Sequence, residues 1–305
     1  MISYVTRRLL WIIPVLFAVS VITFALMHAV PGGPWAREKQ LPDAVEHRLN
    51  AQYGLDQPVY EQYARWAAAF VTGNLGPSYR YQDRTVNDIV SDGFWVTFQL
   101  GIMAFFLSVI VGIPLGIIAA LGHNRWPDYL TTSVSIIGIA TPSFILAIML
   151  IIVFSVQLGW FPTGGWKGPE TWVLPTIALA GFPIAVIARY TRASMLEVTR
   201  KDYSRTAHSK GIKDQAVVSR HMIRNALIPV VTILGPTLAF LVTGSFIIER
   251  VFNIPGMGQF YLNAISTRDY SLLMAMTMLY AFAVAFLNVV VDILYAYIDP
   301  RIRYS

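Results

Sequence analysis

Cysteine is absent from all 305 residues, so no disulfide and no cysteine-ligated metal site can form within this chain. Charge is scarce as well. Asp, Glu, Lys and Arg make up 13% of the sequence, where a soluble domain carries roughly a quarter. Nowhere does a glycine-rich loop end in Gly-Lys-Ser/Thr to cradle phosphates, so if ATP drives this protein another chain must bind it. The five histidines (His28, His47, His123, His208, His221) are scattered without His-x-x-x-His spacing. No catalytic constellation and no metal site is expected, and nothing in the pattern suggests an enzyme.

What the chain has is apolar length. It is 55% hydrophobic, with a mean hydropathy of +0.55. Six stretches, 9–30, 95–121, 130–158, 172–190, 227–248 and 271–298, can each cross a hydrocarbon core about 30 Å thick at about 1.5 Å per helical residue. Their apolar runs are continuous rather than alternating, which argues against a strand-built barrel. The fold class expected is all-α: a polytopic membrane protein with six transmembrane helices. The first stretch follows Arg7-Arg8 as a secretory signal would, but its apolar run of about 20 exceeds a signal core of roughly 7–15 residues. With no clear cleavage site after it, it is expected to remain as an anchor.

The net charge is +6, and its distribution is informative. With the N-terminus inside, the inner side carries Arg7, Arg8, Arg125, nine basic residues from Arg189 to Arg224, Arg301 and Arg303. The short outer loops carry Lys167, Arg250 and Arg268. Lys and Arg accumulate in short cytoplasmic loops. Both termini are therefore expected in the cytoplasm, and the basic surplus marks topology and a lipid surface, not nucleic acid.

Residues 31–94 form the sizeable polar region, expected as an outer cap. Pro42-Asp43-Ala44-Val45-Glu46 predicts a helix start with Asp43 as cap, and Tyr60 to Val71 a second amphipathic helix. Between the fourth and fifth stretches, Asp202 can cap a short helix beginning at Tyr203, Gly211 permits a turn with positive φ, and Asp214 can start a second helix running toward Met222. From residues alone this segment is either an ordinary basic inner loop, suited to anionic lipid, or a short helix that hands force to a soluble partner.

Three groups of residues separate those readings. Asp202-Tyr203-x-Arg205-Thr206-Ala207-x-x-Lys210-Gly211, followed by His221-x-x-Arg224-Asn225-Ala226-Leu227-Ile228-Pro229, closely resembles the inner loop of ABC importer permeases for oligopeptides and dipeptides. Phe252-Asn253-Ile254-Pro255-Gly256-Met257-Gly258 with Arg268-Asp269-Tyr270 looks like the family's outer loop, and Asn288-x-x-x-Asp292 to Tyr304 like its terminal signature. Ala29-x-Pro31-Gly32-x-Pro34 and Gly73-Asn74-Leu75-Gly76-Pro77-Ser78 fit the B-type oligopeptide subunit. Arg205-Thr206-Ala207 stands where the wider family has Glu-Ala-Ala, so a salt bridge from that glutamate is not carried over.

The resemblance spans nearly the whole chain and implies a type I ABC importer permease fold. Its parts would be an N-terminal transmembrane helix (1–30), an extracytoplasmic cap (31–94), a permease core (95–298, coupling loop 191–226) and a cytoplasmic tail (299–305). It implies that Asp202, Tyr203, Arg205, Thr206, Ala207, Lys210 and Gly211 couple to an ATPase. Pro255, Gly256, Gly258, Arg268 and Asp269 become candidates for docking a binding protein. Implied partners are a homologous C-type permease subunit, two cytoplasmic ATPases that bind ATP and magnesium, an extracytoplasmic peptide-binding protein and the lipid of a bacterial-type inner membrane.

Other features are read from the residues. Asn288 and Asp292, one helical turn apart, are expected to be structural polar groups paired with Arg189, Arg192 or a backbone group. Gly112-x-x-x-Gly116, with Pro114 between, permits close helix approach or a bend. Thr141-Pro142-Ser143, Pro183 and Gly235-Pro236 are candidate breaks in the third, fourth and fifth stretches. Trp160, Phe161, Trp166 and Trp172 suit interface anchoring. The competing functions are a stand-alone secondary transporter, which needs buried coupling-ion ligands, and a membrane-anchored receptor or scaffold using residues 31–94.

Overall fold

A computed structural model describes residues 2–35, 42–81 and 83–298; side chains at 2–5, 204, 205, 207, 208, 221, 292 and 294–298 lie outside the description. Every regular element among the described residues is helical. In chain order they are α1 (Ile2–Ala29), α2 (Asp43–Tyr53), α3 (Val59–Val71), α4 (Val86–Leu121), α5 (Trp126–Ala140), α6 (Ser143–Leu150), α7 (Pro169–Thr199), α8 (Asp202–Ser209), α9 (Asp214–Ala216), α10 (Ile223–Val242), α11 (Phe246–Val251), α12 (Met257–Thr267) and α13 (Tyr270–Ile298). Wider π-helical turns continue α6 through Ile151–Gln157 and join α9 to α10 through Val217–Met222.

Five helical stretches are long and apolar enough to cross a membrane, or six if the α5–α6 pair is one span. That pair bends by 106°. The cause is Pro142, whose ring drives Thr141 into an extended conformation (ψ 118°) and ends α5 at Ala140. The other two candidate breaks do not occur. Pro175 and Pro183 lie inside α7, and Pro229 and Pro236 inside α10.

Helix ends depart from the apolar stretches for local reasons. α4 starts nine residues before the expected 95, because Thr85 and Asp88 form a reciprocal cap. The Asp88 carboxylate accepts the Thr85 N–H (3.0 Å), and the Thr85 hydroxyl accepts the Asp88 N–H (3.2 Å). α7 continues to Thr199, nine residues past the expected 190. α10 stops at Val242, because Gly244 takes a positive φ of 86° and Ser245 caps α11 by accepting the Ile248 N–H. Asp43 and Asp202 are each the first residue of their helix and not the cap before it. Pro42 holds the cap position of α2.

The chain forms two compact units. The first comprises Met1–Val96 with Pro255–Val289, so the segment 31–94 shares a unit with α12 and most of α13. One core there joins Val86 and Ile89 of α4 to Met257, Ala264, Leu272 and Met276. A second joins Phe24 and Met27 of α1 to Tyr270 and Met274, flanked by Tyr63, Trp66 and Tyr79.

The second unit comprises Thr97–Ile254 and the end of α13 from Val290. Its central helix is α7, 61% buried over its most apolar window against 17% for α1. α4 meets α7 backbone to backbone. A Cβ on Gly112 would fall 2.9 Å from Ile187 Cβ, and one on Gly116 would fall 2.5 Å from Thr191 Cβ and against the Ala188 carbonyl. The Gly112-x-x-x-Gly116 pattern therefore works as expected, as a surface for close approach. Trp160 is exposed, and Trp166 and Trp172 lie with ring centroids 5.5 Å apart.

Candidate functional site: the exposed helix between α7 and α10

α7 ends at Thr199 because its last carbonyls are taken by turn N–H groups: Arg200 donates to Glu197 O (3.1 Å) and Lys201 to Val198 O (3.1 Å). The Lys201 ammonium pairs with the Glu197 carboxylate at 2.9 Å, which raises its pKa, first through the hydrogen bond and then through the charge. Both are exposed, so solvent screens the pair and it adds little to stability. α8 then runs from Asp202 to Ser209, with the Thr206 hydroxyl donating to Asp202 O (2.9 Å) and the Lys210 N–H to Thr206 O (3.1 Å). Gly211 turns the chain with φ +72°, a conformation costly to any residue with a Cβ.

Of the seven expected coupling residues, Asp202, Tyr203, Thr206, Lys210 and Gly211 are exposed. The backbone of Arg205 and Ala207 lies in α8, and their side chains fall outside the described residues. α8 is therefore a two-turn helix with a polar surface open to solvent. It hangs from a compact apolar anchor in which Met195 and Val198 of α7, Ala120 of α4, and Val217, Met222 and Ala226 bury one another, with Ile212 packed against them. Ser194 ties the two flanking helices by donating to Ala226 O at 2.7 Å. The helix predicted from Asp214 toward Met222 is real but is not separate. It runs without a break into α10, so 214–242 is one helical stretch. Ile212, just past the end of α8, packs against this anchor.

The other expected residues divide. In the first unit, Pro255 is exposed, while Gly256, Gly258 and Asp269 are buried. Asp269 accepts the Ser78 hydroxyl (2.5 Å), the Arg80 N–H (3.2 Å) and the Leu272 N–H (3.2 Å), and so caps α13. Arg268 donates to Pro31 O (2.7 Å) and Gly33 O (3.1 Å). These two charges hold the loops that surround them. Asn288 is exposed on α13, not buried in a polar pair, and the Asp292 side chain and residues 299–305, with Arg301 and Arg303, lie outside the described residues.

Arg192, an expected partner of that pair, is engaged elsewhere. Its Nη2 donates to Asp128 Oδ2 at 2.8 Å and its Nε to Oδ1. His123 Nδ1 (3.2 Å) and the Asn124 N–H (2.9 Å) complete the buried Asp128 carboxylate. A second buried carboxylate, Glu249, accepts the Thr97 hydroxyl at 2.9 Å. Both pairs escaped the sequence reading. Asp128 could have been flagged as a lone acid at the edge of an apolar run; Glu249 sits beside the loop motif that drew attention to itself.

With this geometry in view, comparison with known proteins is specific. Residues 112–304 match the family described as binding-protein-dependent transport system inner membrane component, and residues 1–101 match its N-terminal counterpart. The oligopeptide transport system permease protein OppB of Haemophilus influenzae is 41% identical over 307 residues, all of both chains. The dipeptide transport system permease protein DppB of Bacillus subtilis is 42% identical, over 99% of this chain and 98% of that one. The glutathione transport system permease protein GsiC of Escherichia coli is 43% identical over the whole of both. Among solved structures, an inward-facing MetNI methionine ABC transporter superposes with a TM-score of 0.57 at 19% identity, over 69% of this chain and 96% of that chain.

Proposed function

Because the chain belongs to the binding-protein-dependent transport system inner membrane components, and is thus a permease subunit of an ABC importer, we propose that its cargo is oligopeptides or dipeptides and that α8 couples it to separate ATPase subunits. The observation that carries the coupling reading is the contrast at 195–226: a polar, exposed two-turn helix on a buried apolar anchor that joins α7 to α10. An ordinary connecting loop needs neither the helix nor the anchor.

In this reading the ends of the chain and α8 face the cytoplasm, as the distribution of Lys and Arg supports. Two ATPases close on ATP and magnesium and press on α8. Ile212 passes that displacement to the ends of α4, α7 and α10, which open the path outward to peptide delivered by a binding protein. Hydrolysis resets them. The transport pore is completed by a homologous C-type permease subunit. Pro255 lies at the docking surface for the binding protein, and Arg268 and Asp269 hold that surface in shape. This chain contributes positioning and a path, with no bond-breaking of its own.

The first test is to tag the chain, extract it gently and identify what co-purifies. Two ATPases and a second multi-span subunit are expected, and their absence after crosslinking at Lys210 would overturn the coupling reading. Gly211→Pro sharpens the result. Proline fixes φ near −65°, opposite in sign to the +72° found here. At equal membrane level, peptide uptake should fall at least about tenfold, equivalent to roughly 1.4 kcal/mol of coupling, while ATP hydrolysis continues. Uptake at the wild-type rate would sink the mechanism.

A further inference from the structure

Within the first unit, the ends of α1 and α2, one side of α3, the 74–79 loop and the start of α13 line a half-open cavity of about 220 Å³. That is below the roughly 300–1,000 Å³ of a site for a drug-sized ligand, and suits a single residue-sized group. The walls are aromatic and apolar. Tyr53 and Tyr79 lie with ring centroids 4.6 Å apart, and Phe24, Met27, Trp66 and Met274 also line the space.

Most polar groups around it are already engaged. His28 contacts Phe24 O (2.9 Å) and Gln62 Oε1 (3.2 Å) through its two ring nitrogens, and Gln62 Nε2 donates to Leu55 O and Gln57 O. The Tyr270 hydroxyl donates to Met27 O at 3.1 Å. Burial pushes the Tyr79 hydroxyl up to about 12, so this wall carries no charge at neutral pH.

Arg65 is the exception. Its guanidinium lies where a Cβ on Gly54 would stand, at the edge of the cavity. It has no ion-pair or hydrogen-bond partner among the described residues. The lining contains no Asp or Glu. Proximity to the C-terminal end of α2 favours a cation there without taking up its donors. A planar fork of donors beside an uncharged aromatic slot recognises one anion attached to one apolar body.

We propose that this cavity binds a small apolar carboxylate, the size of one C-terminal peptide residue, with Arg65 holding the carboxylate and Tyr53, Trp66 and Tyr79 enclosing the apolar part. The site is separate from α8, and the inference does not rest on the transport reading, because binding is measured directly.

The test uses the full chain in lipid nanodiscs, titrated with N-acetyl-phenylalanine and with its C-terminal amide. The acid should bind at least about tenfold more tightly than the amide, as a charge-assisted pair implies. Arg65→Gln, at an exposed position, should bring the acid down to the amide and leave the amide unchanged. Arg65→Lys should restore part of the difference. Ala69→Trp, which fills the cavity and keeps the charge, should abolish both. Equal binding of acid and amide, acid binding indifferent to Arg65→Gln, or displacement of the acid by inorganic phosphate at equal concentration would each overturn the proposal.

Discussion

In the unit built from 1–96 and 255–289, segments far apart in sequence are joined by directed polar bonds: Asp269 to Ser78 and Arg80, Arg268 to Pro31 and Gly33, Tyr270 to Met27. In the unit built from 97–254 and the end of α13, backbone surfaces stripped of side chains join them as well, beside the polar bonds of Arg192 to Asp128, Thr97 to Glu249 and Ser194 to Ala226. Gly112 and Gly116 lie against α7, and Gly101 against Leu241 and Val242 of α10. Carboxylates appear there at helix ends, in Asp128 and Glu249. The difference follows from solvent. Polar loops need bonds with direction to select one conformation. Helices in lipid gain little from apolar burial, so van der Waals packing at close range has to hold them.

Four measurements would break or sharpen that contrast, taken from the largest effect down. Arg192→Ala strands the buried Asp128 carboxylate and should destabilise the second unit by about 3 kcal/mol, while Asp128→Asn combined with Arg192→Met should recover most of it. Thermal unfolding of the purified chain reads both, and equal loss in the single and double variants would mean the pair matters for shape rather than charge. Gly116→Val should cost about 1–3 kcal/mol by overpacking against Ala188 and Thr191, seen as lower yield of monodisperse protein. A neutral result would show that α4 and α7 have slack.

Ser78→Ala in the first unit should cost about 1–3 kcal/mol, because it removes the donor to Asp269 and leaves the Tyr81 N–H without its acceptor, while the Arg80 N–H keeps Asp269. Protease susceptibility of the 77–81 loop should rise with it. The smallest effect concerns pH. Tyr79 has its pKa raised from 10.0 to about 12, chiefly by burial, so the folded state holds its proton more tightly than the unfolded one. Its contribution is complete below pH 10 and is lost as pH climbs through about 12. Tyr79→Phe should flatten that alkaline decline, and an unchanged curve would assign the decline to another group.

Hydropathy made the spans legible, and motif order made the family legible, because both are carried by runs of neighbouring residues. α8 was legible for the same reason: a polar octet, then Gly211. The helix ends were less so. The early start of α4 depends on the reciprocal Thr85–Asp88 cap, which composition windows average away. Pro142 breaks its helix while Pro183 and Pro236 do not, and sequence offers no way to rank them. The partners of Asp128 and Asp269 were hidden because each pairing joins residues 64 or 191 positions apart. A single sequence contains no record of such distances.

The bond from Ser78 to Asp269 also sets a timetable. Residues 1–96 leave the ribosome early, but the carboxylate that gathers the 78–81 loop arrives 191 residues after Ser78. At about 5–20 residues per second, that interval is roughly 10–40 seconds. Through it, the Ser78 hydroxyl and the Arg80 N–H lack their final acceptor, and Tyr63 and Trp66 lack Tyr270 and Met274 to pack against. The first unit to be made is therefore among the last to be finished, and premature termination before Asp269 would release an N-terminal third that cannot close.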